Sequence, residues 1–127
     1  MQEFLFVKDG GDYSQVFFSE ILFIEVKDKY SRLITSKRKY LILQTLNVIE
    51  KTLPCSMFCR IHRSYIISLL HTSSFNNITA SVGGRKLPIG KHYKGVLPNR
   101  VITFNGKSMH NIALTQYDNP PLSKNGI

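Results

Sequence analysis

From Phe4 to Pro88 the chain is interrupted by a turn-forming cluster roughly every eight to twelve residues, and the pieces between are the length of single strands. Phe4–Lys8 is a β-prone run stopped by Asp9-Gly10-Gly11-Asp12, where Gly tolerates positive φ and Asp bonds its own backbone. Tyr13–Phe18, Ile21–Val26, Tyr30–Thr35 and Tyr40–Leu43 follow, separated by Ser19-Glu20, Lys27-Asp28-Lys29 and Ser36–Lys39. Phe58–Ile61, Tyr65–Ser68, Ser73–Ile78 and Ala80–Val82 continue the pattern, Gly83-Gly84-Arg85 reads as a hairpin turn, and Val101–Phe104 reads as a last strand. Two segments change period. Leu46, Ile49, Glu50 and Leu53 fall three to four apart, which predicts a helix over 45–52 with Thr45 as N-cap, Pro54 beyond its end and the stripe packed on a sheet. Lys91 to Leu97 reads as a second short helix ended by Pro98. The fold class is therefore mainly β, a sandwich or barrel of antiparallel sheets with two short helices at its edges.

Residues 1–104 make one domain of a size that supports its own core. From Asn105 to the C-terminus the sequence turns polar and rich in Gly, Pro and Asn, so 105–127 is expected to be a weakly ordered extension. No apolar run approaches the roughly 20 residues of a membrane span, and the N-terminus lacks a basic patch followed by a long apolar stretch. The expected compartment is the cytoplasm, with no membrane partner.

Charge supplies the first functional constraint. The formal net charge is +9, and it is unevenly placed. Residues 1–54 hold eight bases and seven acids, whereas 55–127 hold nine bases and a single acid, Asp118. A surface this one-sided attracts polyanions, nucleic acid first among them. The same imbalance removes the carboxylates that paired-acid chemistry or an Asp-oriented His would need. Ser64 follows His62 without a nucleophile elbow around it, and Gly83-Gly84 lacks the following Lys-Ser or Lys-Thr of a phosphate loop. An enzyme is not expected. Cys55, Cys59 and His62 offer three metal ligands within eight residues, but a structural zinc site needs a fourth, so neither metal nor cofactor is expected.

Three segments concentrate donors. In an extended strand Arg60, His62 and Ser64 share one face, with Ile61 and Tyr65 on the other and Arg63 near the break between two strands. Such a row of donors matches phosphate and base-edge acceptors, as well as an ordinary solvent face. Gly90-Lys91-His92-Tyr93-Lys94 places cations at a helix start, where they disfavour the helix unless an anion is bound, and where Gly90 leaves backbone N–H groups free. Lys27-Asp28-Lys29-Tyr30-Ser31-Arg32 is a polar loop entering a strand.

Taken together, the Ile24-Glu25 strand, Leu53-Pro54 after the helix, Arg60-Ile61-His62-Arg63-Ser64-Tyr65, and Leu87-Pro88-Ile89-Gly90 resemble the LytTR DNA-binding domain of bacterial response regulators over about residues 4–104. The resemblance implies an elongated fold of stacked antiparallel sheets with two helices, and loops rather than a recognition helix entering two successive major grooves of double-stranded promoter DNA. It implies base contacts from Ser31, Arg63 and His92, flanked by phosphate contacts from Lys29, Tyr30, Arg60, Ser64, Lys91 and Lys94. It implies two copies on direct repeats, with little dimerisation of the isolated domain. The chain departs from many members at Gly90, where Ser is common, and at Lys91-His92, where Arg often stands, so positions transfer better than base preferences. Members usually carry an N-terminal receiver domain; here the first strand begins near Met1, and an excised domain is expected over a stand-alone regulator. Two other readings stay open: RNA binding through Tyr30 and Tyr93 stacking on bases, and a protein-interaction module whose basic face meets an acidic partner.

Overall fold

A computed structural model describes residues 3–109. Along the chain run β1 (Phe4–Asp9), β2 (Asp12–Phe17), β3 (Ile21–Lys27), β4 (Tyr30–Thr35), β5 (Lys39–Ile42), α1 (Leu46–Thr52), β6 (Phe58–His62), β7 (Tyr65–Ser68), β8 (Thr72–Phe75), β9 (Thr79–Val82), β10 (Arg85–Pro88) and α2 (Val96–Arg100). Single 3-10 turns lie at Phe18–Glu20 and Lys91–Tyr93. The strands form three antiparallel sheets: the β1–β2 hairpin, a central sheet in the order β5-β4-β3-β7-β6, and a smaller sheet in the order β10-β9-β8.

The central sheet is covered on both faces. Ile24 and Leu33, cross-strand partners in β3 and β4, join Val7 and Val16 of the hairpin and Leu46 and Leu53 at the two ends of α1. The neighbouring pair, Phe23 and Ile34, points the other way and packs with Ala80, Val82 and Leu87 of the smaller sheet and Leu97 of α2. A register shift between Ile21 and Phe23 lets Ile21 and Ile24, three apart, share the hairpin side. Two-sided burial explains the nearly continuous apolar run of β3, where a one-sided sheet would alternate with polar residues.

Local chemistry sets the boundaries. The Thr45 hydroxyl accepts the Val48 N–H at 3.4 Å and caps α1 as its sequence predicts. The expected strand over Ser73–Ile78 is cut short at Phe75, because the Asn76 side chain accepts the N–H groups of Ile78 and Thr79 and bends the chain into a turn. The single helix expected from Lys91 to Leu97 is two pieces. Gly95 takes φ +85 between them, and α2 starts only after it. Pro98 lies inside the first turn of α2 instead of ending a helix; the N–H it lacks has no intrahelical partner there. Val101–Phe104 forms no strand, and residues 105–109 carry no regular structure; the remainder of the expected extension lies outside the described residues. Among the described residues, no helix is long and apolar enough to cross a membrane.

If the hairpin face of the central sheet is a true core, Ile24→Ala should lower unfolding free energy by about 2–5 kcal/mol. Val26→Ala, at an exposed site in the same strand, should stay within about 0.5 kcal/mol. Urea titration followed by circular dichroism compares the two; equal, small losses would mean this face is not packed.

Candidate nucleic-acid interface

Backbone hydrogen bonds bring three loops to one end of the central sheet. Glu25 of β3 lies opposite Tyr65 of β7, and the Val26 N–H donates to the Ser64 carbonyl at 3.0 Å. The β3–β4 turn at Asp28-Lys29 and the β6–β7 turn at Arg63-Ser64 are therefore neighbours. The Gly90 N–H donates to the Ile61 carbonyl at 2.7 Å and attaches the Lys91–Lys94 loop beside them. Lys27, Lys29, Arg63, Lys91, His92 and Lys94 are all exposed, and Asp28 is the one acid in these loops. Asp28 holds φ +57 at the turn, a conformation Asp tolerates better than most residues.

Of the nine positions singled out in the sequence, Arg63 and His92 lie exposed at this end, as do Lys29, Lys91 and Lys94. Tyr30 is 37% exposed. Ser64 is half-buried, with its N–H donating to Nδ1 of His62 at 3.0 Å. Two positions need correction. Ser31 is only 1% exposed, and its hydroxyl donates to the Gln44 carbonyl at 2.9 Å. It ties the start of β4 to the chain after β5 and does not face a base edge. Arg60 does not face a phosphate either. Its side chain is 8% exposed, and its guanidinium is spent inside the protein. Nε donates to the His62 carbonyl at 2.7 Å and Nη2 to the Arg63 carbonyl at 2.7 Å. Nη1 donates to Asn47 Oδ1 at 3.0 Å and Glu50 Oε1 at 2.9 Å.

The common face expected for Arg60, His62 and Ser64 fails for a local reason. The β6–β7 register shifts between Arg60 and His62, so strict alternation is lost there. Ile61 is fully buried with the smaller sheet, Arg60 turns to α1, and the His62 ring tilts against Tyr65 with centroids 5.6 Å apart. Gly90 also departs from expectation: its N–H is committed to Ile61, and only a single 3-10 turn follows it. With φ −69 it needs no glycine freedom, yet an added Cβ would stand 3.2 Å from Tyr93 Cδ2 and 3.4 Å from His62 Cδ2.

Asn47 and Glu50 were not singled out as site residues. They stand one turn apart on α1 and both meet Arg60. The available signal was Glu50 itself, an acid interrupting the stripe that packs against the sheet, in place to meet a cation at its edge. Of the two cysteines, Cys55 is exposed and Cys59 is buried, where desolvation pushes its thiol pKa up, opposed by Arg100 and reinforced by Glu50.

Neighbouring arginines should thus behave oppositely. Arg60→Ala should destabilise the fold by about 3 kcal/mol, since two turn carbonyls and Glu50 lose charge-assisted partners. Arg63→Ala should change stability by less than about 0.5 kcal/mol. Thermal melts of both variants decide this; equal losses would contradict the division between a supporting and a presented arginine.

A family model described as the LytTr DNA-binding domain matches residues 12–101. The sensory transduction protein LytR of Staphylococcus epidermidis is 33% identical over 60 residues, covering 47% of this chain and 24% of that protein. The sensory transduction protein LytT of Bacillus subtilis is 30% identical over 82 residues, covering 58% and 33%. The LytT protein of Enterococcus faecalis is 28% identical over 80 residues, with the same coverage. This chain spans about a quarter to a third of the length of these relatives. In fold it matches the LytTr DNA-binding domain of a putative methyl-accepting/DNA response regulator from Bacillus cereus. The TM-score is 0.68 at 22% identity, over 79% of this chain and 97% of that one. With the family model spanning most of its length, three antiparallel sheets and two short helices in place, the chain belongs to the LytTr DNA-binding domain family.

Proposed function

We propose that the chain binds double-stranded promoter DNA in a sequence-specific way and regulates transcription as the output domain of a bacterial response regulator in the cytoplasm. One observation carries the reading: three loops from separate parts of the chain converge on one end of the sheet and present five cations and His92 against a single acid. Arg63, on the middle loop, has the planar fork that pairs with guanine O6 and N7. His92 offers one bond per ring nitrogen to a second base edge. Lys29, Tyr30, Ser64, Lys91 and Lys94 surround them as phosphate contacts, while Ser31 and Arg60 hold the loops from behind.

Two copies on direct repeats would place two such ends along the duplex, and a receiver domain elsewhere in a full-length protein would supply control. Residues 1–104 are assigned to the recognition domain and 105–127 to an extension. The assignment is to a binding module with no catalytic step. The central sheet, covered on both faces, offers no open platform on which RNA bases would stack on aromatic rings.

In-vitro selection from random duplex DNA, followed by affinity measurements against salt, tests the reading. The expected result is an enriched motif, repeated at about one helical turn. Binding without enrichment would reduce the protein to a nonspecific polyanion binder. On the selected site Arg63→Ala should cost about 1–3 kcal/mol and relax preference at one base pair. Lys91→Ala should weaken all sequences alike and reduce the salt slope by about one unit. A loss restricted to one sequence would remove Lys91 from the phosphate contacts.

A further inference from the structure

The turn that presents Arg63 is tied to α1, a helix that lies outside the three loops. Arg60 is the link. Its guanidinium is a rigid plane, so fixing one corner orients the others. Glu50 and Asn47 fix the Nη1 corner, and Nε and Nη2 then aim at the carbonyls of His62 and Arg63. The contact to residue 63 is made through its backbone, so the guanidinium sets the path of the turn while leaving the Arg63 side chain outward. Bidentate reading of a base edge tolerates displacements of only about 0.5 Å and 10–20°. A long side chain magnifies any tilt of its own backbone.

We propose that Glu50 is a positioning residue for base reading by Arg63, acting through Arg60. The proposal rests on the DNA reading above and deepens it: α1, which contributes no residue to the presented loops, sets how well one base pair is discriminated. Asn47 alone cannot replace Glu50, because a neutral amide oxygen is a weaker acceptor for a guanidinium than a carboxylate. With Glu50 removed, the largely buried guanidinium loses its one counter-charge among the described residues, and the Nη1 corner is held by Asn47 alone.

Electrostatics alone gives the opposite sign, which makes the proposal decidable. Glu50 is an acid with a 44% exposed side chain in a protein of net charge +9. Removing it would strengthen attraction to a polyanion if its charge were all that mattered. A positioning role requires weaker binding to the selected site and no loss on random DNA.

The experiment titrates the selected duplex and a random duplex with the wild type, Glu50→Ala, Glu50→Gln, Arg63→Ala and the double variant Glu50→Ala/Arg63→Ala. The expected result is a loss of about fivefold at the selected site for Glu50→Ala, with random-duplex affinity unchanged or raised. Glu50→Gln, which keeps an acceptor oxygen but no counter-charge, should recover only a small part of the loss. In the Arg63→Ala background, Glu50→Ala should have no further effect. Should Glu50→Ala melt below the assay temperature, Asn47→Ala carries the same test from the other Nη1 acceptor. Unchanged or tighter site binding by Glu50→Ala overturns the proposal. So does an equal loss with and without Arg63. If the wild type prefers no site, or Arg63→Ala costs nothing there, the DNA reading fails and this proposal with it. A cost for Arg63→Ala but none for Glu50→Ala overturns the proposal alone.

Discussion

β3 is flanked by β4 and β7 within its sheet and packed above and below by the hairpin, α1, the smaller sheet and α2, so its apolar length is enclosed except toward Lys27. That enclosure governs where anything else can be placed. A sheet without a wet face cannot present a binding row of side chains across its strands. Ligand-facing groups are displaced to the connections between strands, where backbone is short and polar residues meet water. The convergence of three cation-bearing loops at one end follows from this constraint.

Ionic groups act as ties between layers, anchored by the buried Glu25 and Arg60. Glu25, in the middle of β3, pairs with Arg32 across the strand and lies 4.0 Å from Arg85 of the smaller sheet, whose guanidinium also stacks over Phe23 at 5.0 Å. Arg60 joins α1 to the β6–β7 turn, and Arg100 Nη1 donates to the carbonyls of Cys55 and Phe58 at 3.1 Å, joining the end of α2 to the start of β6. A shifted register would strand the two buried members, Glu25 and Arg60, without partners, at far greater cost than a misplaced methyl group. Such pairs add little net stability, but they penalise alternatives to the observed layering.

Much of this was legible in the sequence, and the failures have local causes. Turn clusters located nearly every strand, since Gly-Gly, Asx and Lys-Asp-Lys signals act on adjacent residues only. The Thr45 cap and α1 were readable for the same reason. Side-chain direction across Arg60–Ser64 was not, because alternation assumes an unbroken ladder and the register shift at Ile61 depends on packing by a sheet more than ten residues away in sequence. Gly95 was hidden because the residues on both sides of it, Lys91 to Leu97, suit one helix or two short pieces. Ser31 and Arg60 show the limit of reading a site from residue types: a hydroxyl and a guanidinium suit DNA, yet equally suit an interior carbonyl, and only the fold decides between them.

Arg60 grips residue 63 by its carbonyl oxygen, a group that every amino acid possesses. The shape of the turn is thereby separated from the identity of the side chain it displays. On the proposed reading, exchanging Arg63 for another residue would keep the grip and change what the turn reads. Target preference would then change by single substitutions at position 63 that the folded state does not resist, while Arg60, Asn47 and Glu50 hold the shape. Operators and their readers would be free to diverge together at this position, on a scaffold that stays the same.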